Sequence, residues 1–353
     1  MRRSMDPEER LLQHLREADV SDDEIDRARR DGQLATRAVE VALGDVNEHT
    51  LTDLARAAHL RSAYVRELMQ ALGRPDPAHG ERPYTDEDIE LARIAREMLD
   101  AGLPAHELTE VTRVVGLAMS QSAEAVRRMV AVAFLEAGDT EEMLGARYID
   151  AVDKLAPLVP ELFSLSFRAH LRDGISGQLL AEAERHAGHL ADTGNVAVGF
   201  ADLVGYTSIG DRVSANELGS IAGRFAALGV SASRRPVRLV KTIGDAIMFV
   251  SPDPTKLMEV MVDLRARVHA AEPALPEVRM GVAFGPATAR GGDWFGTTVN
   301  LASRVVDAAK PGQLLVTDEL AARVTSERWR KRRRRTMKGL DGRVRLWSYE
   351  RPE

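Results

Sequence analysis

At Ala191-Asp192-Thr193-Gly194 the sequence changes its periodicity, and this one break limits what the chain can fold into. From Pro7 to about Leu190, apolar residues recur every three or four positions, with short Gly- or Pro-containing interruptions and almost no β-branched alternation, which predicts an all-helical half. Beyond the break, short β-branched or apolar runs alternate with helical spacing. NVAVGFADLVGYTS predicts a strand entering a tight turn, RLVKTIGDAIMFV two strands around Gly244-Asp245, and PEVRMGVAFGPAT another strand. Leu257 to Ala270 and Val299 to Ala309 have helical spacing. The order strand, helix, hairpin, helix, strand predicts a ferredoxin-like α+β domain. We therefore divide the chain into a helical domain over 1–170, a helical linker over 171–192 and an α+β domain over 193–353, a length that accommodates two cores.

Charge divides at the same place. Residues 1–190 hold 23 basic and 36 acidic residues, the remainder 25 and 18, so that a net −13 precedes a net +7. A basic second half suits a polyanionic ligand, and the acidic half of the same chain can dock on it. The whole-chain charge of −6 argues against general nucleic-acid binding. With no cysteine, disulfides, zinc–thiolate sites and thiol catalysis are excluded, and a reducing compartment is compatible. The N-terminal stretch meets acidic residues before any apolar core, unlike a signal peptide, and no run reaches the roughly 18 uncharged apolar residues of a membrane helix. The expected location is the cytoplasm.

In the first half, Ser21 with Glu24, Thr50 with Asp53 and Thr85 with Asp88 each place a hydroxyl three residues before an acid, predicting helix starts. Leu51 to Gly73 has helix-turn-helix spacing and resembles the start of a MerR-like regulator, but only Arg61 and Arg66 are offered to DNA in an acidic region. A helical packing unit is the expectation there. The strongly apolar stretch between Val111 and Phe167 fits a buried or dimerising core, or a pocket for a lipid-like effector. His170, His186 and His189 cluster where the halves join, and protonation there could change how the linker packs. His186 and His189 make no metal site, having only Glu182 and Glu184 nearby.

Chemistry concentrates in the second half. Asp202 ends one strand and Asp245 lies in a hairpin turn, so that paired strands would bring two acids to one edge. Such acids repel unless a divalent cation neutralises them, and an all-oxygen donor set favours Mg²⁺ or Mn²⁺. The turn Gly205-Tyr206-Thr207 joins strand to helix and can turn its N–H groups to a phosphate. In GDWFGTTVNLASR, Asn300 and Arg304 stand four apart on one helical face, presenting an amide and a guanidinium together.

FADLVGYTS, KTIGDAIM and GDWFGTTVNLASR, in this order, resemble the class III nucleotidyl cyclases, over about Asn195 to Tyr349. The layout, with a helical domain first, resembles the soluble actinobacterial adenylate cyclases whose N-terminal domain is autoinhibitory. The resemblance implies that Asp202, Asp245 and the Leu203 carbonyl hold two Mg²⁺ or Mn²⁺ ions, and that Lys241 and Asp293 read adenine. It implies that Asn300 and Arg304 orient the ribose and stabilise the transition state. Arg279 would face the leaving pyrophosphate and Lys338 the phosphates. It further implies ATP as substrate, cyclic AMP as product, and a homodimer whose sites take the aspartates, Arg279 and the turn from one subunit and Lys241, Asp293, Asn300 and Arg304 from the other. Two alternatives stay open: a guanylate cyclase, disfavoured by Lys241 and Asp293, and a DNA- or effector-binding regulator with an inactive cyclase domain. The run Lys331 to Arg335 is read as a solvated edge strand protected from unwanted pairing.

Overall fold

The computed structural model describes residues 6–44, 49–78, 80–136, 138–186, 194–326, 328–332, 334–336 and 343–350, with the main chain alone at 177–186 and 335. Two compact units result, Met1–Ala169 and His170–Glu353.

The first unit is built from α1 (Pro7–Glu17), α2 (Asp22–Arg30), α3 (Leu34–Ala42), α4 (Leu51–Ala57), α5 (Ser62–Ala71), α6 (Asp86–Asp100), α7 (Ala105–Phe134), α8 (Glu141–Leu155) and the start of α9 (Val159–His186). The helices α2, α4, α6 and α8 begin where hydroxyl side chains take up otherwise unpaired first-turn N–H groups. Ser21 caps α2, and Thr50 with Asp53 and Thr85 with Asp88 form reciprocal capping boxes on α4 and α6. Two clusters dominate the interior: Leu11, Leu15, Ile25 and Ile149 join α1, α2 and α8, while Leu54, Val65, Met69 and Tyr84 pack around α4 and α5. Arg66 on α5 donates to Asp76 at 2.9 Å, so one of the two arginines of the helix-turn-helix pattern is already engaged by an acid. The apolar stretch after Val111 is only partly covered: Val111, Leu117 and Val132 of α7 and Leu162 and Phe167 of α9 are more than half exposed. No helix among the described residues is long and apolar enough to cross a membrane.

The second unit continues from α9 through β1 (Asn195–Leu203), α10 (Tyr206–Gly210), α11 (Ala215–Ala232), β2 (Arg238–Ile243), β3 (Ala246–Ser251), α12 (Pro254–His269) and β4 (Val278–Pro286). There follow β5 (Thr288–Arg290), β6 (Asp293–Phe295), α13 (Thr297–Ala308), β7 (Leu314–Thr317), α14 (Asp318–Ala321), β8 (Trp329–Lys331), β9 (Arg335–Thr336), β10 (Arg343–Val344) and β11 (Leu346–Tyr349). Seven strands make one sheet in the order β2-β3-β1-β4-β7-β11-β8. Only β4 and β7 run parallel, across the α13 crossover, and the other neighbours are antiparallel. This is the ferredoxin-like α+β arrangement, extended at one edge.

Alternation along the strands gives the sheet two buried faces. Ala197, Ala201 and Leu203 of β1 pack with Phe225 of α11 and Leu257 and Met261 of α12. Val196 and Val198 point the other way and pack with Met248, Val250 and Ala302 of α13. Asp202 shares the parity of the second set. Lys331, the first residue of the basic run, ends β8 at the outer edge of the sheet, with Arg330 and Lys331 exposed, and Arg335 begins β9. Arg332 beside Lys331 pairs with Glu350 at 3.1 Å.

Candidate active site

Asp202 occupies the penultimate position of β1, flanked on both sides by paired strands: Ala246 of β3 is its partner on one side and Arg279 of β4 on the other. Asp245 precedes Ala246 in the hairpin, and its carbonyl accepts the Leu203 N–H at 3.1 Å. The ladder therefore brings both acids to one end of adjacent strands, as their places in the sequence predict. Burial pushes the Asp202 carboxyl above the usual carboxylate range; hydrogen bonding and charge from Arg279 pull it down, while Asp245 and then Asp307 push it further up. Asp245 is thus near enough for its charge to act on Asp202.

Arg279 reaches directly across the ladder, with Nε donating to Asp202 Oδ2 at 2.6 Å and Nη2 also 2.6 Å from that oxygen. The Asp202 side chain is 15% exposed and that of Arg279 35%. Charge-assisted contacts of this length are the strong class of hydrogen bond. Motif spacing gives Arg279 no such partner, because the contact depends on the β1–β4 register.

Two carboxylates and a main-chain carbonyl offer hard oxygen donors and nothing soft, which fits a divalent cation such as Mg²⁺ or Mn²⁺. Among the described residues no three His, Asp or Glu side chains group as metal ligands. Further coordination positions would therefore fall to water or to oxygens of a bound ligand.

The turn that the sequence predicts to face a phosphate follows β1. Gly205 caps α10 at φ 75°, a left-handed conformation that a side chain would strain. The Tyr206 ring packs against the core and its hydroxyl donates to the Leu218 carbonyl at 2.9 Å, leaving main-chain N–H groups as the turn's means of contact, with Thr207 exposed.

Lys241 sits on β2 opposite Met248 of β3, which is itself opposite Phe200 of β1, two residues before Asp202. A bulge between Leu239 and Lys241 resets the alternation, so Lys241 shares the Asp202 face. Its Nζ pairs with Asp293 Oδ2 from the β5–β6 hairpin. The other Asp293 oxygen accepts the Trp294 N–H at 2.8 Å, fixing the carboxylate. Both side chains remain about a third exposed, so the pair is reachable.

Asn300 and Arg304 project from one exposed face of α13. The helix is seated on β4 through Gly281, where an added Cβ would lie 2.4 Å from the Val306 nitrogen. Thr298 Oγ1 donates to the Pro286 carbonyl at 2.8 Å and holds the first turn. Arg304 also pairs with Asp307 at 3.3 Å. Asp307 was legible as an i,i+3 partner, and Gly281 as a glycine inside a strand, a frequent mark of close backbone approach.

Of the other expected positions, Lys338 and His189 lie outside the described residues, as does the side chain of His186. His170 is exposed on α9. The first unit has a small cavity of about 210 Å³ between the end of α7 and α8, lined by Phe134 and Leu135 but also by Glu136, Arg147, Asp150 and Lys154.

A ferredoxin-like sheet with paired acids at one strand end, a Lys–Asp pair on the same face and an Asn/Arg helix beside them defines a class III nucleotidyl cyclase domain. Comparison with known families and proteins agrees. Residues 4–175 match the adenylate cyclase regulatory domain and residues 189–349 the adenylate and guanylate cyclase catalytic domain. The pH-sensitive adenylate cyclase MT1302 of Mycobacterium tuberculosis is 36% identical over 271 residues, covering 75% of this chain and 68% of that protein. An adenylate cyclase of Streptomyces coelicolor is 30% identical over 289 residues, covering 80% and 73%. Among solved structures, the adenylyl cyclase CyaB from P. aeruginosa aligns at 18% identity and TM-score 0.39, over 45% of this chain and 95% of that one. The chain belongs to the class III adenylate cyclases that carry an N-terminal regulatory domain.

Proposed function

We propose that the chain converts ATP into 3′,5′-cyclic AMP and pyrophosphate, and the observation that carries this reading is the Lys241–Asp293 pair. Adenine offers an acceptor at N1 and a donor at its 6-amino group, matching an ammonium and a carboxylate. Guanine offers a donor at N1 and an acceptor at O6, so both contacts would fail. A site that pairs polar groups with one base and leaves them unpaired with another discriminates strongly. A guanylate cyclase reading meets this mismatch, and the regulator reading meets Arg66 already bound by Asp76.

In the reaction the ribose 3′-oxygen bonds to the α-phosphorus, the bond from that phosphorus to the α–β bridging oxygen breaks, and pyrophosphate leaves with the electron pair while the hydroxyl proton passes to solvent. Asp202, Asp245 and the Leu203 carbonyl would hold divalent cations, which when bound would supply neutralisation of the triphosphate and a lowered pKa of the 3′-hydroxyl. Asn300 positions the ribose, and Arg304 stabilises charge on the α-phosphoryl group, a preorganised contact whose loss costs about 2.7–4 kcal/mol in comparable sites. Main-chain N–H groups of Gly205, Tyr206 and Thr207, together with Arg279 and Lys338, hold the phosphates.

Catalysis takes place in a homodimer, with the Lys241, Asp293, Asn300 and Arg304 set of one subunit completing the Asp202 and Asp245 set of the other. Exposed Val230, Ile243 and Phe295 on the second unit, at 64%, 55% and 55%, support an apolar contact between copies. The regulatory domain 1–170 acts through the linker 171–192 on the catalytic domain 193–353, with the net −13 half docking on the net +7 half. Protons at His170, His186 and His189 bias this equilibrium, as does a lipid-like effector on the apolar faces of α7 and α9. The pH-sensitive relative supports the proton route.

The test is product formation by the purified full-length protein with Mn²⁺ and either ATP or GTP, across pH, beside Asp202→Ala. Cyclic AMP from ATP alone, lost in the variant, is expected. Cyclic GMP from GTP would overturn the base assignment. Removal of 1–190 should raise activity, and unchanged or lost activity in a folded dimer would refute inhibition by the helical domain.

A further inference from the structure

Arg279 is asked to do two things that exclude each other. In the fold it places Nε and Nη2 2.6 Å from one oxygen of Asp202, sheltered between β1 and β4. In the proposed reaction it faces the phosphates, and Asp202 holds a cation. A guanidinium and a divalent cation sharing one carboxylate repel each other, strongly so where the carboxylate is 15% exposed. The charges set an order. Asp202 and Asp245 with Arg279 carry a net −1, too little to retain two divalent ions, whereas a triphosphate adds about −4 and restores near neutrality. Arg279 is the second residue of β4, so its long side chain, 35% exposed, lies at the strand end that carries Asp202.

We propose that Arg279 is a coupling residue that makes cation loading conditional on nucleotide: it occupies Asp202 until a triphosphate is bound, then leaves the carboxylate to the cations and moves to the phosphates. The inference rests on the function proposed above. Its consequence is that one substitution moves two affinities in opposite directions, which a purely structural arginine does not do.

Full-length Arg279→Gln and Arg279→Lys would be titrated with Mn²⁺ alone, followed by electron paramagnetic resonance. Radiolabelled 3′-deoxy-ATP, which lacks the attacking hydroxyl, would be bound at saturating Mn²⁺. Arg279→Gln should bind Mn²⁺ alone at least threefold more tightly and 3′-deoxy-ATP at least tenfold more weakly, and Arg279→Lys should keep Mn²⁺ binding within twofold of the parent. Weaker or unchanged Mn²⁺ binding in folded Arg279→Gln would overturn the proposal, leaving Arg279 as a support for Asp202. A Lys variant that behaves like the Gln variant would overturn it too, because charge would not be the cause. Asp245→Asn in the Arg279→Gln background separates the two levels: Mn²⁺ binding indifferent to it there would refute the cation site itself and the inference with it. Tryptophan fluorescence verifies folding, and if Arg279→Gln does not fold, Arg279→Met provides the neutral side chain.

Discussion

Gly281→Ala tests whether the seat of α13 on β4 sets the geometry of the active site. An ideal Cβ at this position would stand 2.4 Å from the Val306 nitrogen, 2.8 Å from the Val305 carbonyl carbon and 2.9 Å from the Ala302 oxygen. All three are main-chain atoms, so no side chain can rotate away. Reaching ordinary contact of about 3.5 Å requires the helix to move about 1 Å from the sheet. Overpacking of this kind destabilises by about 1–3 kcal/mol. Since α13 carries Asn300 and Arg304, the same shift displaces the groups assigned to ribose and transition state, and a 1 Å misplacement costs roughly 10²-fold in rate. The three tryptophans, Trp294, Trp329 and Trp347, all lie in the second unit. Urea unfolding followed by their fluorescence therefore reads the destabilisation where it occurs. The expected outcome is a lower unfolding midpoint, kcat reduced about 10²-fold, and Mn²⁺ binding at Asp202 and Asp245 little changed. A kcat within threefold of the parent, with the midpoint unmoved, would refute the reasoning.

Lys241→Ala should lower kcat/KM for ATP by roughly 10²-fold or more and narrow the preference for ATP over GTP, measured with the two nucleotides in parallel. Asp307→Ala releases Arg304 from a surface pair in which the side chains are 45% and 56% exposed; such pairs are worth at most about 1 kcal/mol, so kcat should rise by no more than about fivefold, with stability nearly constant. Asp263 is drawn between Arg234 at 2.6 Å and Arg267 at 3.1 Å. Burial works to raise its pKa, but the two guanidinium hydrogen bonds prevail and hold it below the usual carboxylate value. Its stabilisation is therefore fully present above the ordinary value and lost as pH falls through the lowered native one, so Asp263→Asn should cost about 1–2 kcal/mol at neutral pH, with the difference vanishing in strong acid. Urea titrations between neutral and acid pH check the sign, and a difference that grows on acidification would contradict it.

The second half of the chain was the more legible because its chemistry is tied to local patterns. Asp202 at a strand end, Asp245 in a two-residue turn, and Asn300 four residues before Arg304 each announce their geometry within a few positions. The strand–helix–hairpin order then leaves few topologies, and the sheet takes the expected one. Contacts made by register were less open to reading: the Arg279 partner depends on β1 and β4 pairing so that 202 meets 279, and a slip of one residue would send Arg279 to the other face. For Lys241, the bulge decides the face on which it appears, and period-two alternation alone does not show a bulge.

In the helical half, what could be read and what could not divide on a different line. Capping pairs such as Thr50 with Asp53 are local, and they start helices where the sequence puts them. The apolar spacing of α7 likewise predicts a helix, but periodicity states only that a face wants cover, not what covers it. Val111, Leu117 and Val132 remain more than half exposed in the single chain, so the row that reads as core is surface within one copy. A second chain or an apolar ligand would satisfy the same pattern equally well, because burial of apolar area is non-directional. The groups to which we assign specificity in the catalytic half are directional, in that a donor must meet an acceptor, and such groups name their partners. That difference explains why the same sequence is explicit about a purine and silent about the signal that controls its use.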